Sequence, residues 1–271
     1  MYQLSRVSKV YPSRSGDVRS LDQVSFSVET GERVAVLGPS GAGKTSLFRL
    51  LNATLRPTSG EVRFDGQDLG ALGSSGLRAA RRRIGTVFQH PPLVPSLTAL
   101  QNAMCGRLGS LGIFGALRAL LAPPAREVAR AGAALEAVGL SDKAQARADE
   151  LSGGQQQRLS IARVLVQEPE VVLADEPFAS LDPGLIETMV QLLFGAASGR
   201  TLIVTLHDVA LALRLFPRVI GIADGRIAFD RRAADVSAPM LDALYAREQP
   251  GPAQASEESE RADGGKRATL N

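Results

Sequence analysis

The sequence predicts an α/β fold with a mostly parallel sheet covered by helices, and three features carry that expectation. RVAVL at residues 33–37 and VVLA at 171–174 are apolar runs of the length and composition of fully buried strands. The first runs straight into a glycine-rich turn and then a helical pattern. Beyond residue 171, strand and helix signals alternate, which is how helical crossovers generate a parallel sheet.

Taken in order, residues 2–10 read as a strand, Val24–Val28 alternates as a half-buried strand does, and Arg33–Leu37 is continuously apolar up to a glycine. A helix follows over about Lys44–Leu55, with short strands at Glu61–Phe64 and Ile84–Phe88. From about Leu97 to Val138 the pattern is mainly helical, interrupted by glycines and by Pro123-Pro124, and suggests a helical subdomain. Then come a strand at Val171–Ala174, a helix after Pro183, a strand at Thr201–Thr205, a helix from about Asp208 and a strand at Val219–Ile222. From Pro250 onward, PGPAQASEESERADGGKRATLN has little apolar surface to bury and reads as a disordered tail.

With 271 residues, 44% of them apolar, the chain can bury a sizeable core, and one large domain is the simplest expectation. A net charge of +3 implies no dedicated nucleic-acid surface. The cluster Arg78, Arg81, Arg82 and Arg83 could face anionic lipid or a membrane partner but reads rather as a solvated charged face, and without interleaved aromatics it has little for base stacking. The single cysteine, Cys105, cannot form an intrachain disulfide, and two histidines, His90 and His207, make no zinc cluster with it. The opening MYQLSRVSKVYP lacks the apolar run of a signal peptide, and no stretch approaches the roughly 20 apolar residues that span a bilayer. The cytosol is the expected compartment and any membrane role is expected to be peripheral.

Residues 38–45, GPSGAGKT, fit G-x-x-x-x-G-K-[ST] between an apolar strand and a helix, the context that a phosphate-binding loop requires. Gly38, Gly41 and Gly43, with Pro39, Ser40 and Ala42 between them, let the backbone wrap closely round phosphate oxygens and aim amides at the anion. Lys44 is expected to reach the β- and γ-phosphates, and Thr45 to offer its hydroxyl to magnesium. VVLADE ends in two acids at the carboxyl end of a strand, where parallel sheets bind ligands. Asp175 is expected to hold magnesium, leaving Glu176 to orient or deprotonate the attacking water. The simpler alternative makes both acids helix-capping groups.

Residues 151–155 read LSGGQ, followed by Gln156, Gln157 and Arg158. With GPSGAGKT and VVLADE in this order, the chain resembles the ABC-transporter ATPase family. The resemblance implies a P-loop NTPase of ABC ATPase type over residues 1–248. It would have an antiparallel β-subdomain, a helical subdomain inserted over roughly residues 90–167, and residues 249–271 left as a tail. Ser152, Gly153 and Gly154 would open a helix running to about Gln167 and form a second anion site. In the family, this signature, Gln155 included, closes on ATP held by another subunit, so the resemblance implies a head-to-tail homodimer. Tyr11 resembles the aromatic that stacks on adenine. Gln89, in TVFQH, resembles the loop glutamine that touches magnesium and the attacking water and reports to the membrane partner. Asp182, in ASLDP, resembles the acid that couples the two sites, and His207, in VTLHD, the histidine that contacts the γ-phosphate. A strand tyrosine, a solvated amide, a turn residue or helix N-cap, and a buried histidine are the respective simpler roles. His90 matches no catalytic position. ATP and magnesium as cofactors, and permease subunits at the cytoplasmic face of the cell membrane, follow from the same resemblance. A solute-binding protein would act only indirectly.

The long stretch between Gln89 and Leu151, with GRLGSLGIFGALRALLAPPA at 106–125, together with ADELSGGQQQRLSIARVLVQEP, is most similar to phosphonate-import ATPases. Leu108, Leu111, Ile113, Phe114, Leu117, Leu120 and Leu121 would pack inward or receive a permease helix. Pro91 and Pro92 depart from the less rigid residues of similar importers. An amino-acid importer or a lipoprotein-releasing exporter would use nearly the same core motifs. A soluble ABC ATPase acting on nucleic acid or ribosomes usually carries two ATPase domains or a long coiled-coil insertion, and neither is visible here.

Overall fold

A computed structural model of the chain describes residues 1–13, 16–111, 115, 118, 122–179 and 181–246. Its centre is a six-stranded sheet in the order β10-β9-β3-β8-β7-β6. The strands are β3 (Arg33–Leu37), β6 (Ile84–Phe88), β7 (Val171–Asp175), β8 (Thr201–Leu206), β9 (Arg218–Ala223) and β10 (Arg226–Arg232). All neighbours are parallel except the β9–β10 hairpin. The apolar runs are continuous because both faces are covered. Ala35, Leu37, Val172, Ala174, Leu202 and Val204 belong to one core, and Val34, Val36, Val171, Leu173 and Ile203 to the other. Successive residues of a strand therefore serve opposite cores.

The second core is closed by a four-stranded antiparallel sheet, β2-β1-β4-β5, made of β1 (Tyr2–Tyr11), β2 (Val18–Val28), β4 (Ser59–Phe64) and β5 (Gln67–Asp68). In β1 the buried side chains pass from Tyr2 and Leu4 to Val7, and in β2 from Leu21 to Val24. Each change of parity occurs at a left-handed residue, Arg6 (φ 46°) and Gln23 (φ 52°), and the β1–β2 register shifts beside them. These bulges re-aim the strand. They also explain why simple alternation revealed β2 only from Val24.

The helices among the described residues are α1 (Lys44–Leu51), α2 (Ser74–Arg83), α3 (Ala99–Met104), α4 (Ala125–Ala137), α5 (Gly153–Gln167), α6 (Pro183–Ala196), α7 (Val209–Leu215) and α8 (Ala238–Tyr245). None is long and apolar enough to cross a membrane. Helix α1 stops short of the expected Leu55: Ala53 is left-handed (φ 57°), and the Asn52 carboxamide oxygen accepts from the Thr54 amide at 3.0 Å. Helix α3 starts at a reciprocal cap between Thr98 and Gln101, and α3, α4 and α5 pack together, with Ala99, Ala103, Ala131, Leu135 and Leu159 in one core. The expected long helical stretch includes a 3-10 segment at Cys105–Ser110, which bends the chain early. Ile113, Phe114, Leu117, Leu120 and Leu121 lie outside the described residues, as does the tail at 249–271.

The arginine cluster departs from expectation. Arg83 pairs with Asp65 and, at 2.6 Å, with Glu170, while its guanidinium stacks over Phe64 at 4.7 Å. Arg81 donates to the Ala53 carbonyl at 2.7 Å. Arg78 and Arg82 keep the exposure expected of a solvated face, without such ties among the described residues.

Candidate nucleotide-binding site

The turn between β3 and α1 is shaped by two glycines, Gly38 and Gly43, at which a side chain would meet backbone. Gly43 is left-handed (φ 104°), and a Cβ there would stand 2.4 Å from the Ser20 carbonyl. At Gly38 a Cβ would stand 2.2 Å from the Ile222 carbonyl at the end of β9. The loop so formed surrounds a cavity of about 180 Å³ lined by residues 39–46 with Ser20, Glu176 and His207. Lys44 is buried, and its Nζ donates to the carbonyls of Gly38 at 2.6 Å and Pro39 at 3.0 Å.

The acids arrive from β7. Asp175 ends the strand and lies opposite Thr205 of β8, whose hydroxyl donates to Asp175 Oδ1 at 2.6 Å. Burial pushes the Asp175 carboxyl above the usual carboxylate range, and the neighbouring Glu176 adds to this. The Thr205 hydroxyl, Lys44 and His207 oppose it. Glu176 follows with φ 47°, and its Oε1 lies 2.7 Å from His207 Nε2 and 4.0 Å from Lys44 Nζ. Lys44, Glu176 and His207 thus converge at one mouth of the cavity. His207 is almost half exposed there (45%), not the satisfied core histidine that was the simpler alternative.

The remaining predicted residues do not line the cavity. Tyr11 ends β1, and its hydroxyl shares a hydrogen bond with Ser46 of α1 at 3.2 Å; Ser46 also accepts from Ser20 at 2.8 Å. Gln89 follows β6, whose last residue, Phe88, is paired with Asp175. Ser152 caps α5 by accepting from the Gln155 amide at 3.4 Å, while Gln155 Oε1 accepts from the Ser152 amide at 2.9 Å. Ser152 and Gly153 are exposed, so the start of this helix faces outward. Asp182 stands at the N-cap position of α6 but makes no side-chain capping bond, which removes the simple capping role.

Two residues that sequence reasoning missed join these pieces. Gln157 of α5 is buried and donates to the Phe88 carbonyl at 3.1 Å and the Pro177 carbonyl at 3.2 Å. It ties the signature helix to both the strand that delivers Gln89 and the turn after Glu176. Thr205 was legible only as a hydroxyl inside the otherwise apolar end of TLIVTL.

A family profile described as "ABC transporter" matches residues 21–179. This chain belongs to that family. The ABC ATPase is 45% identical over 241 residues to a "Phosphonates import ATP-binding protein PhnC" of Pseudomonas putida, covering 88% of this chain and 89% of that one. A protein of the same name from Anaeromyxobacter dehalogenans is 46% identical over 230 residues, 85% of this chain; the chain spans only 46% of that relative's length. Among solved structures, the "Dimeric structure of a post-hydrolysis state of the ATP-binding cassette MJ0796 bound to ADP and Pi" superposes with a TM-score of 0.76 at 33% identity. The match covers 86% of this chain and 99% of that one. The ABC ATPase therefore has the expected fold: a mostly parallel core, an antiparallel sheet beside it and a helical region between Gln89 and α5.

Proposed function

We propose that this ABC ATPase hydrolyses ATP with magnesium to energise import of a phosphonate or a related phosphorus oxyanion. It would work as a homodimer with permease subunits at the cytoplasmic face of the membrane, with a solute-binding protein only indirectly involved and no nucleic acid. The observation that carries the solute class is the near end-to-end similarity to the Pseudomonas putida phosphonate-import relative. The chemistry is supported by the convergence of Lys44, Glu176 and His207 on the loop cavity.

In this reading, Gly38 to Thr45 cradle the phosphates and Lys44 exchanges its two carbonyl partners for phosphate oxygens. Thr45, Asp175 and Gln89 hold magnesium; a hydroxyl, a carboxylate and an amide carbonyl form the all-oxygen set that a hard dication prefers. A carboxylate whose burial resists lone ionisation is also suited to a neighbouring cation. Bound magnesium would neutralise charge developing on the phosphate oxygens. Glu176 takes the proton of the attacking water while His207, already hydrogen-bonded to it, orients the carboxylate and meets the γ-phosphate. Tyr11 stacks on adenine. Ser152, Gly153, Gly154 and Gln155 act on the nucleotide of the second copy, a role supported by the exposure of Ser152 and Gly153 and by the absence of all four from the cavity wall. Asp182 couples the two sites, and Gln89 links magnesium to the permease.

Deleting the gene in its parent cell tests the cargo. The reading expects uptake of radiolabelled methylphosphonate to vanish and to return with the wild-type gene but not with Lys44→Ala. Undiminished uptake in the deletion strain, with loss of amino-acid import or lipoprotein release instead, would overturn it.

A further inference from the structure

We propose that Thr205 is a positioning residue that sets both acids of the hydrolytic site through a single hydroxyl group. The inference rests on the functional reading above and extends it to a residue in the next strand. Thr205 is buried in β8 directly opposite Asp175. Its Oγ1 lies 2.6 Å from Asp175 Oδ1 and also 3.0 Å from the Glu176 amide nitrogen. An amide N–H can only donate, so the Thr205 oxygen must accept from Glu176, and its one proton is committed to Asp175. The hydroxyl is thereby locked in one orientation.

Two consequences follow. One oxygen of Asp175 is held by this bond, which sets the plane of the carboxylate. Glu176 is held at φ 47°, a left-handed conformation that a non-glycine residue keeps only where its surroundings impose it. The Thr205 carbonyl reinforces this by accepting from the same amide at 3.2 Å. That backbone turn delivers the Glu176 carboxylate to Lys44 and His207. Asp175 and Glu176, adjacent in sequence but assigned different tasks, are therefore set by one group.

Thr205→Val and Thr205→Ser separate this role from packing. Valine keeps the shape without either bond, and serine keeps both bonds. Equilibrium binding of trinitrophenyl-ATP with and without magnesium is measured beside steady-state hydrolysis. For Thr205→Val, kcat should fall about 10–100-fold, the usual cost of losing a group that orients a ligand. The magnesium-dependent part of nucleotide binding should weaken, with magnesium-free binding unchanged. Thr205→Ser should stay near wild type in both. Wild-type kcat and magnesium dependence in Thr205→Val would overturn the inference. So would a folded Thr205→Ser protein as impaired as a valine variant is expected to be, which keeps the test open if valine prevents folding. A wild-type protein that hydrolyses no ATP with magnesium would instead overturn the functional reading itself.

Discussion

Gln157→Met removes the two bonds that join the signature helix to the hydrolytic site while nearly preserving side-chain volume. The wild-type side chain is only 3% exposed, so water cannot readily replace what is lost. Each bond contributes about 0.5–1.5 kcal/mol net, and each buried carbonyl left without a donor costs about 1–3 kcal/mol. The Phe88 and Pro177 carbonyls both lose their amide donor, and two such losses should make the variant about 2–6 kcal/mol less stable. In a domain of this size the melting temperature falls by roughly 2–4 °C per kcal/mol, a shift that scanning calorimetry resolves easily. Because Gln157 does not line the loop cavity, nucleotide affinity should change less than kcat. A melting temperature indistinguishable from wild type would refute the bridging role. So would a loss confined to nucleotide affinity.

Asp175→Asn should raise the melting temperature of the nucleotide-free protein at neutral pH while abolishing turnover. The folded-state pKa of Asp175 is raised, so its stabilising share is present while it is protonated and is lost as pH rises through the folded value. The advantage of asparagine should therefore shrink on acidification into the carboxylate range; scanning calorimetry over a pH series that found no gain at pH 7 would contradict the burial argument. Gly43→Ala places a Cβ 2.4 Å from the Ser20 carbonyl at φ 104°, strain of about 1–3 kcal/mol. Trinitrophenyl-ATP titration should show nucleotide binding lost, and retained affinity would mean that the loop tolerates a side chain there.

Local signals were enough where structure and chemistry are contiguous in sequence. β3 and β6 match their expected bounds because apolar runs end at glycine or at a polar loop. The loop GPSGAGKT and the acids 175–176 sit in consecutive residues, so their convergence needed only the parallel sheet. Elements set by distant contacts were less visible. Helix α2 is polar on nearly every side, and what anchors it is the reach of Arg83 to Asp65 and Glu170. Ala53 and Leu55 prolong a helical pattern that the Asn52–Thr54 turn stops. β10 alternates too weakly to stand out, and its partner is the hairpin neighbour β9. Gln157 and Thr205 act between strands and helices far apart in the chain, so no motif scan of one segment could single them out. LSGGQ, though the most recognisable motif, is not brought to the loop cavity within one chain.

The central claim, that Glu176 drives hydrolysis of ATP shared between two copies, is tested most directly by light scattering of Glu176→Gln in ATP and magnesium, with the nucleotide in the peak assayed. The account predicts a stable dimer holding unhydrolysed ATP, because binding groups are intact and the proton acceptor is gone. A monomer that turns over ATP at the wild-type rate would contradict it.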